Sequence, residues 1–258
     1  MIDWRHVLSL LSAALLGACT SLPPGPAGEG AAIGSSPWGL QSAAAPDAVS
    51  GASGWKHYKL PGKTASQFDY VRKDGRDAVA VVSRASASML RDQIRIEPAD
   101  LGKLRFSWKV PELIAMADMA VRESDDSPVR IILAFDGDRS RLSAKNAMLS
   151  ELALTLTGEE MPYATLMYVW CNKRKAGTVI SNPRTDRIRK IVVESGAQNL
   201  NQWLEYERDI RADYERAFGE APGALTGIAI MTDTDNTRSR ANAWYGPVRL
   251  QPVAVSRR

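Results

Sequence analysis

The stretch at residues 103–110, KLRFSWKV, decides the fold, because it alternates strictly between polar and apolar side chains. Leu104, Phe106, Trp108 and Val110 share one face, and the lysines, arginine and serine between them share the other. A period of two is typical of a β-strand that turns one face to a core and the other to water. The alternation therefore predicts a half-buried antiparallel strand.

Similar strand-like segments, each ended by turn residues, lie on both sides of this one. The strongest are residues 77–83, 129–136, 163–171, 187–194, 226–232 and 241–250. Two other segments have helical spacing: residues 143–156, with Ser143 placed to cap the start and Gly158 after the end, and residues 212–218, closed by Gly219. This pattern predicts a mainly β protein, a jelly-roll-like β-sandwich with one inserted helix and a short surface helix.

The first 18 residues have the composition of an export signal. Arg5 gives a basic head, and residues 7–16, VLSLLSAALL, form an apolar core that is too short to span a bilayer. Residues 16–19, LGAC, match the lipobox of bacterial lipoproteins. We therefore expect a bacterial envelope lipoprotein that is cleaved before Cys19 and lipidated on its thiol. Thr20, in place of Asp, favours the outer membrane. The alternative is an ordinary export signal in which Cys19 is incidental.

Composition divides the remaining chain into three parts. Residues 19–54 are rich in Gly, Pro, Ala and Ser and have no apolar period, which predicts a flexible tether. Residues 55–252 are long enough for a single β-sandwich domain, and residues 253–258 form a tail. No later stretch reaches the ~18 apolar residues of a transmembrane helix, so the acyl chains would be the membrane anchor.

The net charge and the motifs limit the kinds of partner and site that we expect. The net charge of +4 is mildly basic, and nucleic acid is not an expected partner of an exported protein. Cys171 would be the one cysteine left beside Cys19, and it ends an apolar run, so we expect a small buried side chain. His57 would be the one histidine after cleavage, and no nucleophile-elbow, zinc-protease or phosphate-loop motif is present. We expect no cofactor.

The densest polar cluster is residues 232–237, TDTDNT, which follows an apolar strand. Asp233, Asp235 and Asn236 offer oxygens that can hydrogen-bond sugar hydroxyls or coordinate calcium. The same residue types also stabilise turns by bonding their own backbone. The loop lacks the twelve-residue calcium motif with its closing Glu, so a structural calcium is the weaker alternative.

A second candidate ligand site combines two strands. Tyr168, Trp170 and Asn172 share one face of their strand, and Arg130 and Asp136 share one face of another. If these faces are open to water, they offer an aromatic platform, a guanidinium and a carboxylate to a sugar ring. If they are closed, the two rings fill the core, as large aromatic side chains usually do.

A series of short motifs resembles one family. The motifs are ASAS at 85–88, DDSPVR at 125–130, FDG at 135–137, YVW at 168–170, TDR at 185–187, VVESG at 192–196, RDI at 208–210, DY at 213–214, FG at 218–219, MTDTDNT at 231–237 and AWYG at 243–246. Over residues 55–250 they are similar to the uncharacterised bacterial "domain of unknown function 3047" family, exported proteins that often carry a lipidation signal. The resemblance implies one domain in an exported setting, and it implies no activity and no site residues.

Three functions are compatible with these residues. The leading hypothesis is a non-catalytic envelope lipoprotein, held to the membrane by its lipid, whose sandwich binds a glycan or another envelope component. The second is a carboxylate-dependent glycan hydrolase or lyase, with Asp136 and Asp235 as the first acid pair to consider. The third is a structural or partner-docking lipoprotein, which needs no pocket.

Overall fold

The computed structural model describes residues 33–42 and 54–251. Cys19 and the predicted cleavage site lie outside these residues. The described chain is mainly β, with thirteen strands and few helices. In chain order the strands are β1 (Lys56–Lys59), β2 (Gln67–Lys73), β3 (Arg76–Arg84), β4 (Ser88–Ile96), β5 (Lys103–Lys109), β6 (Ser127–Phe135), β7 (Ala164–Cys171), β8 (Val179–Ser181), β9 (Ile188–Ser195), β10 (Trp203–Asp209), β11 (Leu225–Asp233), β12 (Arg240–Tyr245) and β13 (Arg249–Gln251).

The strands form two sheets. The seven-stranded sheet has the order β1-β4-β11-β6-β7-β9-β8, and the other has the path β10-β5-β12-β3-β2 with β13 paired to β5. Successive strands cross repeatedly between the two sheets, so one core is built from both. The predicted jelly-roll-like β-sandwich is confirmed.

The core lies between the inner faces of the sheets. The apolar face of β5, with Leu104, Phe106 and Trp108, is buried there, as its alternation predicts. Phe106 stacks against Tyr168 of β7 in the opposite sheet, with ring centroids 5.6 Å apart. The half-buried strand predicted at residues 103–110 is confirmed, and it is a strand through which the two sheets contact each other.

Three α-helices join the strands: α1 (Pro37–Gln41), α2 (Ala144–Thr157) and α3 (Ile210–Phe218). The Ser143 hydroxyl accepts the Asn146 backbone N–H at the start of α2, and Gly158 ends the helix in the left-handed region at φ 74°. This is the inserted helix that the capping residues predict. Short 3₁₀ turns lie at Pro98–Asp100, Arg122–Ser124 and Arg139–Arg141.

Residues 33–42 correct part of the predicted tether. Ile33 and Trp38 are buried in the main core, and the Trp38 ring lies 4.9 Å from that of Trp55 in an edge-on contact. The Trp55 indole N–H also donates to the Ser42 carbonyl at 3.2 Å. Burial of a large indole offsets the ordering entropy of this Gly- and Ser-rich segment. Residues 33–42 are therefore part of the packed domain, although they precede its predicted start at Trp55. Within the described ranges, no helix is long and apolar enough to cross a bilayer.

Candidate functional site

Tyr168 and Trp170 lie in the core, so they do not form an open aromatic platform. Both side chains are fully buried on the inner face of β7. The Tyr168 hydroxyl donates to Asp213 at 2.9 Å, and the Trp170 indole N–H donates to the Gly196 carbonyl at 2.9 Å. Burial raises the pKa of Tyr168 well above its ordinary value. The two rings therefore fill the core, which is the second of the two arrangements that the sequence allowed.

The predicted grouping of Arg130 with the two aromatic rings is wrong. Arg130 lies opposite Val169 in the β6–β7 ladder, whereas Tyr168 lies opposite Ile131. Residues directly opposite each other in an antiparallel pair share a face. The Arg130 side chain therefore leaves the outer face of the seven-stranded sheet, while the Tyr168 ring leaves the inner face.

Asp136 lies far from the acidic loop, and Asn172 binds a different loop. Asp233 pairs with Ser127 at one end of β6, and Asp136 follows the other end. Nine residues of strand span about 30 Å, so Asp136 cannot form an acid pair with Asp235. Asn172 instead donates to the Ile114 carbonyl at 2.7 Å and fixes a loop.

Charged side chains gather at the Ser127 end of β6, on the outer side of the seven-stranded sheet. We call this group the polar centre: Asp125, Asp126, Arg130, Lys190, Asp233 and Asp235. Its members come from the loop before β6, from β6 and β9, and from β11 and the loop after it. Of the predicted ligand residues, Arg130, Asp233 and Asp235 meet here, and Asn236 joins through its backbone.

Two buried cations share one carboxylate in the polar centre. Lys190 is fully buried, and its ammonium donates to both Asp125 oxygens at 2.6 Å and to the Met119 carbonyl at 2.9 Å. Arg130 donates to the same Asp125 carboxylate at 3.1 Å and lies 3.2 Å from Asp233. Burial, followed by the nearby Arg130 charge, lowers the pKa of Lys190 to about 8.

Asp126 ties the loop after β11 to the loop before β6. Its carboxylate accepts the backbone N–H groups of Asn236 at 3.2 Å and Thr237 at 2.7 Å, and the Thr237 hydroxyl at 2.5 Å. The Asn236 side chain donates in turn to the Arg122 carbonyl at 2.9 Å. These bonds satisfy the loop backbone, which is the turn-stabilising role that the sequence left open.

The carboxylate oxygens of Asp233 and Asp235 lie within 4.8 Å of each other, so each group affects the pKa of the other. Burial raises the pKa of Asp233 well above its usual value, further than the Arg130 charge lowers it. Burial also acts upward on Asp235, but the hydrogen bond from Asp233 and the contact with Lys63 outweigh it and hold the pKa of Asp235 below its usual range. Burial therefore favours the neutral form of Asp233, whereas its neighbours favour the ionised form of Asp235.

The acids of the polar centre do not fit a divalent cation well. Carboxylate oxygens of Asp126, Asp233 and Asp235 lie within 4.8 Å of one another, which is close enough for shared ligation. However, Asp126 already accepts three protein hydrogen bonds, and Lys63 holds Asp235. Lys63, Arg130 and Lys190 already pair with carboxylates of the polar centre, so a calcium ion would have little charge to neutralise.

Two tryptophans stand on the outer face of the six-stranded sheet. Trp203 of β10 and Trp244 of β12 both lie opposite Lys109 of β5, one on each side, so the three side chains share a face. Both rings are only partly buried. They lie two strand spacings apart, about 10 Å. We call this row of Trp203, Lys109 and Trp244 the tryptophan face.

Charged groups surround the tryptophan face. Lys109 donates to Asp74 at 2.6 Å, and the Trp203 indole N–H donates to the same Asp74 oxygen at 3.1 Å. The Lys73 ammonium lies 4.6 Å from the Trp244 ring centre, and the Arg76 guanidinium lies 5.5 Å from that of Trp203. These contacts fix both ring positions while leaving ring surface exposed.

An open cleft of about 590 Å³ adjoins the tryptophan face. Arg105 and Glu207 pair across it at 2.5 Å, as do Arg76 and Glu205. The remaining lining residues are Gln41, Gly75, Asp77, Phe106, Ser107, Tyr206, Gly246, Pro247 and Arg249. The cleft thus offers donors and acceptors of both charges beside exposed indole rings.

The sequence did not predict the tryptophan face or the cleft beside it. The segment 203–209, WLEYERD, places Trp203, Glu205 and Glu207 on one face, but its inner face carries only Leu204 and Tyr206 as uncharged side chains before Arg208. The apolar alternation is therefore weak. The strand pairing of Trp203 and Trp244 through β5 was not visible from local sequence.

Comparison with known proteins finds one matching family and several solved structures with low sequence identity. The profile of a family described as "Protein of unknown function (DUF3047)" matches residues 53–249. No curated protein is similar enough in sequence to count as a relative. Among solved structures, the xyloglucanase domain of NopAA, a type three effector from Sinorhizobium fredii, in complex with cellobiose, has 8% identity and a TM-score of 0.41, over 77% of this chain and 92% of that one.

Two further structures have similar values. Endoglucanase 3 of Trichoderma harzianum, from family GH12, has 8% identity and a TM-score of 0.42 over 78% of this chain and 91% of that one. The cellulose-induced protein Cip1 has 9% identity and a TM-score of 0.37 over 76% and 92%. Similarity this low carries no argument about activity, so function must be argued from the chain's own residues.

Proposed function

The chain belongs to the DUF3047 family, and we propose that its domain is a glycan-binding module of the bacterial envelope that holds its ligand on the tryptophan face. One observation carries this proposal: Trp203 and Trp244 flank Lys109 in a single row beside an open polar cleft. An indole ring stacks on the apolar C–H face of a pyranose, and neighbouring charged groups bind its hydroxyls. The spacing of about 10 Å suits stacking on two sugar units of one chain.

The cleft supports the polar half of this recognition. Arg76 and Glu205 have side chains that are 46% and 68% exposed, so they can exchange their mutual contact for ligand hydroxyls at small cost. The partly exposed rings add apolar area that a sugar can cover. This combination of a few fixed aromatic rings and exposed hydrogen-bonding groups is common at small-molecule sites.

Binding to a panel of purified envelope polysaccharides and peptidoglycan fragments, followed by calorimetry on each hit, tests the proposal. We expect Trp203→Ala and Trp244→Ala each to weaken binding at least about tenfold, because each removes a stacking ring. Met116→Ala is the control, since Met116 is 76% exposed and lies outside the cleft lining. Binding that is unchanged in both tryptophan variants would contradict the proposal, as would no binding to any polysaccharide.

We further propose that a lipid on Cys19 anchors the domain to the membrane, with the outer membrane favoured by Thr20. The lipobox at residues 16–19 supports this step. Mass spectrometry of the protein from cells should show a diacylglyceryl-modified Cys19 as the new amino terminus. Cys19→Ser should abolish the modification and release the chain from the membrane fraction. An unmodified Cys19 in the mature chain would contradict the anchor.

A second candidate function is acid–base hydrolysis at Asp233 and Asp235. The observation that favours it is geometric: carboxylate oxygens of Asp233 and Asp235 lie within 4.8 Å of each other. Burial raises the pKa of Asp233, and the neighbours of Asp235 lower its pKa, which is the difference that general acid–base chemistry uses. Asp233→Asn distinguishes this candidate from a structural role, because an amide copies the neutral acid in shape but cannot donate a proton to substrate. Hydrolysis of any glycan by the native chain that disappears in a folded Asp233→Asn variant would support it. Equal turnover in the two proteins would exclude it.

A further inference from the structure

The inserted helix α2 has an unusual distribution of apolar side chains. Met148, Leu152, Leu154 and Leu156 are 61%, 54%, 45% and 62% exposed, and they make up four of the seven large hydrophobic side chains that are exposed in the described chain. Met148, Leu152 and Leu156 recur at intervals of four, so they form one continuous ridge along the helix. Scattered exposed leucines are ordinary, but a ridge of this length marks an interaction surface.

Polar contacts hold the apolar ridge outward. The buried face of α2 carries Asn146 and Ser150. Asn146 donates to Asp186 at 2.6 Å and accepts from the Thr185 hydroxyl at 2.7 Å, and the Ser150 hydroxyl accepts from Arg139. Turning the leucines inward would break these buried hydrogen bonds, each of which stabilises the present orientation. The outward ridge is therefore a fixed feature of the fold.

The anchor proposed above determines which surface lies within reach of α2. Because residues 33–42 pack on the domain, only thirteen residues, 20–32, separate Cys19 from the packed chain. Thirteen residues span at most about 45 Å even when fully extended. This is much shorter than the tether of residues 19–54 that composition predicts. A lipid at Cys19 would keep the domain against the bilayer.

The carboxyl end of α2 lies at the β1–β4 edge of the seven-stranded sheet. Helix α1 contacts β3 of the six-stranded sheet, where Gln41 donates to Asp77 at 2.9 Å, and it reaches the same edge through Trp55. Glu159, just after α2, pairs with Arg91 at 2.7 Å, and Arg91 lies opposite Lys56 in the β1–β4 ladder. Trp55 immediately precedes β1 and donates to Ser42 at the end of α1. The segment that follows the tether and the carboxyl end of the apolar ridge thus both reach the β1–β4 edge.

We propose that the Met148–Leu152–Leu156 ridge of α2 lies in the interfacial layer of the membrane, parallel to its plane. This inference rests on the proposed lipid anchor, and it adds a second membrane contact made by the folded domain. An apolar helix that buries several side chains would add to the retention that the lipid gives and would fix the orientation of the domain at the surface. Exposed Lys145 in the first turn of the helix adds attraction to anionic headgroups.

Fluorescence of the lipidated full chain, reconstituted into vesicles of phosphatidylethanolamine and phosphatidylglycerol, tests this placement. An environment-sensitive probe is attached to a cysteine introduced by Leu152→Cys. A matched protein carries the probe at Glu205→Cys, in the cleft beside the tryptophan face. The native Cys171 is buried, so it does not compete for the probe. We expect a blue shift and quenching by spin-labelled lipid for the probe at 152 and neither change at 205. Adding Met148→Ser and Leu156→Ser should abolish both signals, with circular dichroism confirming the fold.

The outcomes separate the two proposals. Mass spectrometry of the same preparation reports the lipid on Cys19 directly, so a missing anchor is recognised independently of the probe. No shift at position 152 in lipidated protein would overturn the membrane-facing helix and leave the anchor standing. A shift that rises with protein concentration in the absence of vesicles would also overturn it, because it would show that the ridge pairs with a second copy of the chain.

Discussion

The polar centre and the cleft beside the tryptophan face both contain Arg–carboxylate pairs, but these pairs are buried in the polar centre and exposed in the cleft. Arg130 and Asp125 have side chains that are only 4% and 7% exposed, whereas those of Arg76 and Glu205 are 46% and 68% exposed. The buried charges are paired with other groups of the same chain. The exposed charges stay available to a ligand. Clustered charge in the sequence therefore does not by itself locate a binding surface.

The difference has an energetic consequence. Charges removed from water must be compensated by partners, and loss of one partner leaves the other uncompensated. Charges at the surface keep most of their hydration, so their pairs contribute little. Substitutions in the polar centre should therefore alter stability, and substitutions on the tryptophan face should alter binding.

The largest effect is expected for Lys190→Met. The methionine fills similar volume but leaves the Asp125 carboxylate, which lies 2.6 Å from the Lys190 ammonium, without its main cation. We expect a loss of about 3–5 kcal/mol in the free energy of unfolding at neutral pH, measured by urea denaturation.

A second substitution checks the cause of that loss. Asp125→Asn in the Lys190→Met background removes the carboxylate that has lost its main cation, while Arg130 keeps its contact with Asp233 at 3.2 Å, so the double variant should recover part of the stability. A double variant as unstable as the single one would show that Lys190 acts through packing, and the contrast between the two regions would lose its electrostatic basis.

A smaller effect is expected for Asp126→Ala. The change removes the acceptor of two backbone N–H groups and the Thr237 hydroxyl, so we expect a loss of about 1–3 kcal/mol. Hydrogen exchange at Asn236 and Thr237 should accelerate locally. Asp126→Asn is the matched control, since its amide oxygen keeps part of the acceptor role. Exchange that is unchanged in both variants would contradict the loop-fixing role.

The strongly patterned parts of the fold were predictable from the sequence. The alternation at residues 103–110 and the caps at Ser143 and Gly158 act locally, so they can be read without knowledge of the rest. Strands β2, β4 and β10 were missed because charged residues interrupt their apolar faces. The burial of Trp38 was missed because a Gly- and Ser-rich composition dominated the segment, while the partner rings lie elsewhere in the chain.

The candidate site was predictable only in part. Asp233, Asp235 and Asn236 are neighbours in sequence, so their grouping needed no tertiary knowledge. Arg130 was placed with the wrong partners because a single strand shows alternation but does not show which face meets which neighbour. Lys190, the most buried cation of the polar centre, sits in a basic run that typically indicates a solvated face, so its role required the strand pairing.

Asp233→Asn should change how the free energy of unfolding depends on pH, with little effect at low pH. In the folded chain the pKa of Asp233 lies well above its unfolded value of 3.8, so folding takes up a proton as pH rises past that value. Native stability from this group is full at low pH and is lost as pH rises through the folded pKa. We expect the variant to differ by less than about 1 kcal/mol near pH 4 and to gain on the native chain toward about pH 8.

Urea unfolding of both proteins across this range is the measurement. Asp233→Ala is the companion variant, because it removes both the ionisable group and the hydrogen bond to Asp235. A variant Asp233→Asn that instead loses stability as pH rises would show that Asp233 is ionised in the folded chain and paired with Arg130. The polar centre would then carry one more buried charge than its cations balance.

The smallest effect is expected for Arg76→Gln, and it makes the contrast between the regions quantitative. The Arg76–Glu205 pair has the short separation of 2.5 Å, yet both side chains are largely in water. We expect the free energy of unfolding to change by less than about 0.5 kcal/mol. The same variant should weaken polysaccharide binding measurably, because Arg76 lies beside Trp203 and lines the cleft. A large loss of stability with unchanged binding would reverse the assignment: the tryptophan face would then be another internally satisfied network, and the ligand surface would have to lie elsewhere.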